Sequence, residues 1–385
     1  MTLHPRDLWV IPSETARIAR AAMPKGNVYM MMYEQLGQLY VDRDFQSLFP
    51  AECGQSAISP AKLALITIMQ FAEGLSDRQT AEAVRTRIDW KYALGLELTD
   101  AGFDYSVLSE FRDRLITTGQ ESQLLEIMLS QFKQKKLLKS RGRQRTDSSH
   151  VLAAIRRLNR LECVGETLRH ALNDLAKAAP QWLKALVTQD WFDLYGARFE
   201  QYRLPTQKAE QEQLALRIGT DGHHILSALY DPQTPQKLRQ IESVEILRQV
   251  WVQQYSFVNA QLVWRQPNTT GVPPNKLCIE SPYDPQARNR TKRDINWTGY
   301  TVHLTETCDE QTPNFITHVE TTQATIPDGA LTQKIHGCLA AKELLPKEHL
   351  LDTAYVDAQH LVTSQSEYEI TLVGRVPFAA LGLNA

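Results

Sequence analysis

The sequence predicts an α+β multidomain chain, with an all-α, helix-turn-helix-like N-terminal domain and an α/β core interrupted by a helical insertion. Three observations predict it. Apolar residues recur every three or four positions between capping signals from about residue 58 to 115, a second helical stretch runs through 151–265, and the last hundred residues turn to alternating strands and helices. At 385 residues, 43% apolar and 22% charged, the chain is long enough for more than one domain with a real core. That composition excludes a disordered tail, a collagen-like fibre and a small disulfide scaffold.

Lys plus Arg number 42 against 44 Asp plus Glu, a formal net charge of −2, so a wholly basic nucleic-acid coat protein is excluded and any polyanion-binding surface must be local. The five cysteines (Cys53, Cys163, Cys278, Cys308, Cys338) are scattered without a C-x-x-C pair, which reads as reduced thiols. No H-E-x-x-H occurs, and His223-His224 diverge on a helix or strand. The N-terminus lacks the apolar stretch of a signal peptide, and no 18-residue uncharged apolar run is present. A cytoplasmic protein without membrane contact is expected.

Residues 1–50 read as an N-terminal extension and 51–140 as a helical DNA-binding domain. Ser59-Pro60 starts a helix with Leu63, Ile66, Met69 and Ala72 on its apolar face, and Gly74 stops it. Ser76-Asp77-Arg78-Gln79 is a capping box for a second helix with the stripe Ala81, Val84, Ile88, Tyr92 and Gly95 as terminator. The short connection Gly74-Leu75-Ser76 fits a helix-turn-helix. A third helix has Ser106 as cap and Leu108, Phe111 and Leu115 on one face. The second helix is expected to expose Arg78, Arg85, Arg87 and Lys91 toward phosphates. Asp77, Glu82 and Asp89 leave an ordinary bundle with a mixed solvated face as the alternative.

Seven of residues 133–145 are Lys or Arg, namely Lys133, Lys135, Lys136, Lys139, Arg141, Arg143 and Arg145, and none is acidic. Arg156, Arg157 and Arg160 continue the run, and Arg288–Arg293, with Lys292 and Arg293, forms a second cluster. Such runs attract a phosphate backbone without reading sequence, or else are solvated linkers. Residues 151–290 read as a mostly helical insertion, including VEILRQVWVQQYSFV, that ends in a Pro-, Asn- and Thr-rich linker.

Two segments, 141–150 and 291–385, form the expected core. RQRTDSSH (143–150) is a short strand ending near Asp147. Gly299–Thr307 and Phe315–Val319 alternate as a strand pair, Leu331, Ile335, Cys338, Leu339 and Lys342 trace a helix, and His349–Asp352 is a buried-type strand. A helix over Ala354–Ser366 and a strand over Glu369–Val373 follow. That is the strand order of a ribonuclease-H-like fold, in which Asp147 and Asp352 meet at neighbouring strand ends. Hard carboxylate oxygens in such a pair suit Mg²⁺ (or Mn²⁺), and two ions can serve both oxygens of an in-line phosphoryl displacement. Helix capping is the alternative for each aspartate.

The sequence resembles bacterial insertion-sequence transposases of the DDE type, in the branch with a long helical insertion. GLSDRQTAEAVRTRIDWKYALGL and YSVLSEFRDRL are similar to that family's DNA-binding domain, and GRQRTDSSHVLAAIRRLNRLECVGETLR to the block around its first catalytic aspartate. SPYDPQARNRTKRDINWTGYTVHLTETCD resembles the middle block and HLLDTAYVDAQHL the block around the second aspartate. The resemblance runs from about Val28 to Gly374 and implies Asp147 and Asp352 as catalytic, metal-binding residues. It implies double-stranded DNA as partner, both terminal inverted repeats and target, and a homo-oligomer on DNA. Two departures stand out. Thr301 follows Gly299-Tyr300 where relatives commonly carry Lys, and the family's third acid, a Glu on a helix after the last strand, is missing; Glu367 and Glu369 come too early for it. The chain therefore reads as a C-terminally truncated transposase with little or no cleavage activity of its own. A non-catalytic DNA-binding transposition inhibitor and a ribonuclease-H-like nuclease are the alternatives.

Overall fold

The computed structural model describes residues 2–5, 8–49, 54, 56–156, 158–199, 204–274, 276–292, 294–310 and 312–374. Cys53, Arg157 and Arg293 lie outside the described residues, as does the segment 375–385 on which the expectation of a missing Glu bears. The chain divides into two compact units, Met1–Ser140 and Arg141–Ala385. No helix among the described residues is long and apolar enough to cross a membrane.

The first unit is helical: α1 (Ser13–Ala22), α2 (Val28–Leu36), α3 (Pro60–Glu73), α4 (Asp77–Thr86), α5 (Ile88–Ala93), α6 (Ser106–Thr117) and α7 (Gln123–Gln134). Ser59 Oγ accepts the Lys62 amide at the head of α3, and Gly74 ends that helix in the left-handed conformation. Buried residues surround α3 on nearly every side, Leu63, Ile66 and Met69 among them, which is why its apolar positions exceed one stripe; Ala72 is exposed. The Ser76–Gln79 capping box opens α4.

The single helix expected from 77 to 92 breaks at Arg87, whose backbone is extended. Its guanidinium grips the Asp89 carboxylate at 2.6 Å and Glu73 at 2.5 Å. Residues two apart do not face each other on a helix, so an Arg87–Asp89 pair requires the break. Ser106 is the first residue of α6 and not its cap; the Asp104 carboxylate accepts the Ser106 amide instead.

In the second unit six strands form one mixed sheet among the described residues. Strand β1 (Arg143–Leu152) is followed by the insertion helices α8 (Arg160–Ala178), α9 (Pro180–Lys184), α10 (Gln189–Tyr195), α11 (Lys208–Leu229) and α12 (Glu242–Gln254). These pack around Leu168, Leu175, Phe199, Ile218, Leu247 and Trp251 as a core of their own. The helix expected to run through YSFV stops at Gln254. Residues β2 (Tyr255–Val258) and β3 (Gln261–Trp264) form a hairpin instead, because Asn259 and Ala260 both take positive φ, 50° and 61°, as a two-residue turn requires.

The chain then returns to the sheet with β4 (Arg288–Lys292), β5 (Ile295–Thr307) and β6 (Ile316–Gln323), continues through α13 (Thr332–Ala341), β7 (Glu348–Leu351) and α14 (Ala358–Tyr368), and reaches β8 (Thr371–Val373). Strand β5 pairs antiparallel with β1 along one edge and with β4 and β6 along the other. Strands β1, β7 and β8 are mutually parallel neighbours. Gly299 lies at φ 152°, where any Cβ would stand 2.1 Å from the Val151 carbonyl, so β1 can pass this close only to glycine.

Three boundaries differ from expectation. Strand β1 runs on to Leu152 instead of ending near Asp147, since β5 continues to pair with it. The helix expected from Ala354 begins at Ala358, where Asp357 accepts the His360 amide, after a 3₁₀ turn at Thr353–Tyr355. Glu369 closes α14 at φ 55°, which postpones the last strand to Thr371.

Candidate carboxylate site

Register places the two aspartates. The last parallel pair between β1 and β7 is Thr146 with Leu351, and Asp147 and Asp352 are the residues that follow on each strand. Neighbouring strands lie roughly 4.8 Å apart, so both carboxylates leave the sheet at the same level. Both are exposed, on an open shelf with Leu350, Leu351, Thr353 and Gly374. Among the described residues each binds only the next backbone amide: Asp147 Oδ1 accepts from Ser148 at 2.7 Å and Asp352 Oδ1 from Thr353 at 2.6 Å. Asp147 does not cap a helix, because the first helix after it starts at Arg160 under Asn159. Asp352 does cap its 3₁₀ turn.

Buried polar groups fix the floor beneath this pair. Thr146 Oγ1 bonds to Thr305 at 2.7 Å and to His349 Nε2 at 2.8 Å; His349 Nδ1 meets His336 Nε2 at 2.9 Å, and His336 reaches Ser364. Burial, reinforced by the neighbouring His336, holds the His349 imidazole down to about 3, and burial together with His360 holds His336 down to about 4, so both are neutral near pH 7.

Beside the shelf lies a cavity of about 300 Å³, lined by Ser148, Asp328, Asp352, Arg290, Lys292 and Trp297 among others. Asp328, which the sequence reading passed over, opens the turn after β6 and is 3% exposed. Its oxygens stand 3.8 Å from Arg290 and 3.6 Å from Lys292. The Tyr355 hydroxyl bonds to His303 Nδ1 at 2.5 Å. Burial, and then the charges of Asp328, Asp147 and Asp352, push the Tyr355 phenol up, which puts all three carboxylates within electrostatic reach of one hydroxyl. A separate group, His318, Glu320 and Cys338, brings ligand atoms within 4.8 Å of one another. Lys334 at 2.9 Å from Glu320 and Lys342 at 3.4 Å from His318 put positive charge where a cation would bind.

The basic residues singled out in the sequence divide sharply. Arg78 and Arg85 are exposed, one stacked 4.7 Å above Tyr105 and the other bonded to the Ala101 carbonyl and paired with Glu82. Arg87 is half-buried between two carboxylates. Lys91 is not on the exposed face: it is 3% exposed, and its ammonium donates to the carbonyls of Glu97, Leu98 and Asp100. Helical spacing could not reveal this, since the returning loop supplies the acceptors.

Lys135, Lys136 and Lys139 are exposed. Arg141 is half-buried and bonded to the Tyr368 and Glu369 carbonyls, whereas Arg143 and Arg145 alternate along β1 and pair with Glu348 at 2.9 Å and Glu306 at 2.6 Å. The cluster at 288–292 is a strand, β4, with Lys292 half exposed near Asp328. Its alternating Arg288, Arg290 and Lys292 were the signal for a strand that the basic run obscured.

Residues 19–114 match the family model described as Transposase domain (DUF772). This match, about a quarter of the chain, supports a transposase in general and implies DNA as its partner. No curated protein and no solved structure matches the chain.

Proposed function

We propose that this chain is a DNA transposase of the DDE type, which cleaves DNA and transfers strands of an insertion sequence by divalent-metal-dependent phosphodiester chemistry. The observation that carries the reading is the register pair Thr146–Leu351, after which Asp147 and Asp352 follow side by side where the parallel pairing of β1 with β7 ends. The strand order β6-β5-β1-β7-β8, with helices between the last parallel strands, supports a ribonuclease-H-like core. The family match in residues 19–114 supports the assignment of the helical unit to DNA.

The donor set fits Mg²⁺ or Mn²⁺: two exposed carboxylates, each with one backbone donor among the described residues, leave hard oxygens for a cation that keeps waters and phosphate as its other ligands. Bound there, the metal supplies Lewis-acid stabilisation of the phosphoryl oxygens and activation of the attacking hydroxyl. The chain's own residues do the rest. Thr146 and the buried His349–His336 pair hold β1 against β7, so that Asp147 and Asp352 keep their spacing. Lys135, Lys136 and Lys139 offer exposed charge to the phosphate backbone, and Arg78 and Arg85 do so from α4. As paired protomers the chain would hold two terminal repeats and a target duplex.

Titration with Mn²⁺, followed by electron paramagnetic resonance, tests the site. Native chain should bind the ion, and Asp147→Asn and Asp352→Asn should each lose at least about tenfold in affinity. Equal binding by the native chain and both variants sinks the reading. Binding to end-sequence DNA with metal-independent affinity and no dependence of any activity on Asp352 favours the non-catalytic DNA-binding module instead.

A further inference from the structure

We propose that Tyr355 is a positioning residue of the candidate metal site, its hydroxyl joining the segment that carries Asp147 to the turn that begins at Asp352. The inference rests on the metal-binding reading of those two carboxylates. The last backbone pair between β1 and β7 is Thr146 with Leu351, so Asp147 and Asp352 lie one step beyond the ladder that holds the two strands. Strand β1 continues against β5, with Asp147 opposite Leu304 and Ser148 opposite His303. The chain after β7 instead turns through Thr353–Tyr355. Past the ladder, side chains must fix the gap.

Tyr355 spans it. Ser148 and His303 are opposite one another in register and share one face of the sheet. The Tyr355 hydroxyl meets both: it lies 2.5 Å from His303 Nδ1 and hydrogen-bonds to Ser148. The backbone of Tyr355 is equally fixed, since its amide donates to the Asp352 carbonyl at 2.9 Å and its carbonyl accepts from Thr332 Oγ1 at 2.7 Å. Its ring is buried beside Leu331, Ile335, Leu339 and Leu351. Phenylalanine would fill that core without the cost of burying a hydroxyl, so the oxygen marks a polar task. Burial holds the His303 imidazole below its ordinary value and pushes the Tyr355 phenol up, so the link is a neutral hydrogen bond near pH 7. Tyr355 stands three residues after Asp352, and Ser148 directly follows Asp147. A slip of this contact therefore passes to the carboxylate spacing, to which an ion of strict octahedral geometry is sensitive.

Mn²⁺ affinity of the full chain, read by electron paramagnetic resonance beside a urea melt, tests the link. Tyr355→Phe should weaken Mn²⁺ binding about tenfold in the folded protein, a loss that a packing role alone would not produce. Ser148→Ala should weaken it by a similar factor. The double variant should lose no more than the more affected single variant, because both remove one contact. Native affinity in Tyr355→Phe, with the ion lost from Asp147→Asn and Asp352→Asn, overturns the inference and leaves the metal reading standing. Losses that multiply in the double variant also overturn it, since the two hydroxyls then act separately. If Asp147→Asn and Asp352→Asn keep native affinity as well, the metal reading fails and the inference falls with it. Should Tyr355→Phe not fold, native Mn²⁺ affinity in Ser148→Ala overturns the inference.

Discussion

The cations of the α4–α5 region and the carboxylates of Asp147, within β1, and Asp352, just after β7, were equally prominent in the sequence, yet the structure treats them differently. Lys91 and Arg87 are taken up by nearby protein groups, three loop carbonyls for one and two carboxylates for the other. Among the described residues Asp147 and Asp352 meet only their own following amides. Long flexible cations find acceptors in any adjacent loop, whereas a short carboxylate where two strands part reaches little beyond its own backbone. An ionisable residue therefore reads as functional only after its local partners have been counted.

The largest effect expected falls on the carboxylates. Asp147→Asn and Asp352→Asn should each lower metal-dependent nicking of end-sequence DNA by at least about a hundredfold, roughly 2.7 kcal/mol in the barrier. Each should leave stability within about 0.5 kcal/mol, because the amide oxygen can still accept the backbone N–H. Plasmid nicking with Mg²⁺, its loss on chelation, and a denaturant melt check both halves. Nicking that survives both substitutions would erase the contrast with Lys91.

Lys91 should show the reverse pattern, with stability affected and chemistry untouched. Lys91→Met leaves three carbonyls without their shared donor in a buried pocket, at about 2–3 kcal/mol. A urea melt of the helical unit's signal would measure it, and a loss below about 0.5 kcal/mol would return Lys91 to the solvent-facing cations.

How much of this was legible follows the range of the interactions. Ser59-Pro60, Gly74 and the Ser76–Gln79 box were readable because a helix end is satisfied by residues within four positions. The β1–β7 adjacency was readable through strand order, though neither residue announces its partner. Three features were hidden: the break at Arg87 depends on Glu73 from another helix, Lys91 on a returning loop, and Asp328 on Arg290 and Lys292 of β4. In TIPDGAL, Asp328 reads as turn chemistry, and only the tertiary fold turns it into a buried acid.

A smaller effect is expected from pH. His336 and His349 lie at about 4 and about 3 in the folded chain against an ordinary value of 6.5, with burial the main cause. Both folded values are lower, so the unfolded chain binds protons first as the pH falls. Stability is full above about pH 6.5 and declines from there toward pH 4, by up to about 1.4 kcal/mol per pH unit for each proton taken up. Thermal melts from pH 8 to 4.5 should show a plateau and then a fall, and His349→Gln should flatten the fall. A melting temperature that rises on acidification from pH 6.5 would contradict the buried neutral pair beneath Asp147.

The smallest effects belong to the exposed cations, and they sharpen the contrast within one helical segment. Arg78 and Arg85 can each lend one charge to a phosphate, so Arg78→Gln and Arg85→Gln should each weaken end-DNA binding a few-fold and lower the log–log salt slope by about one. Arg87→Gln should act differently. It unpairs Glu73 and Asp89, so its loss should appear in the melt, at about 1–3 kcal/mol, with the salt slope of the folded fraction unchanged. Fluorescence anisotropy at several salt concentrations separates the two cases, because a phosphate contact changes the slope and a structural ion pair changes only the amount of folded protein. If Arg87→Gln lowers the slope as much as Arg78→Gln, the guanidinium leaves its carboxylates for DNA, and local pairing is a poorer guide to function than the carboxylate site makes it look.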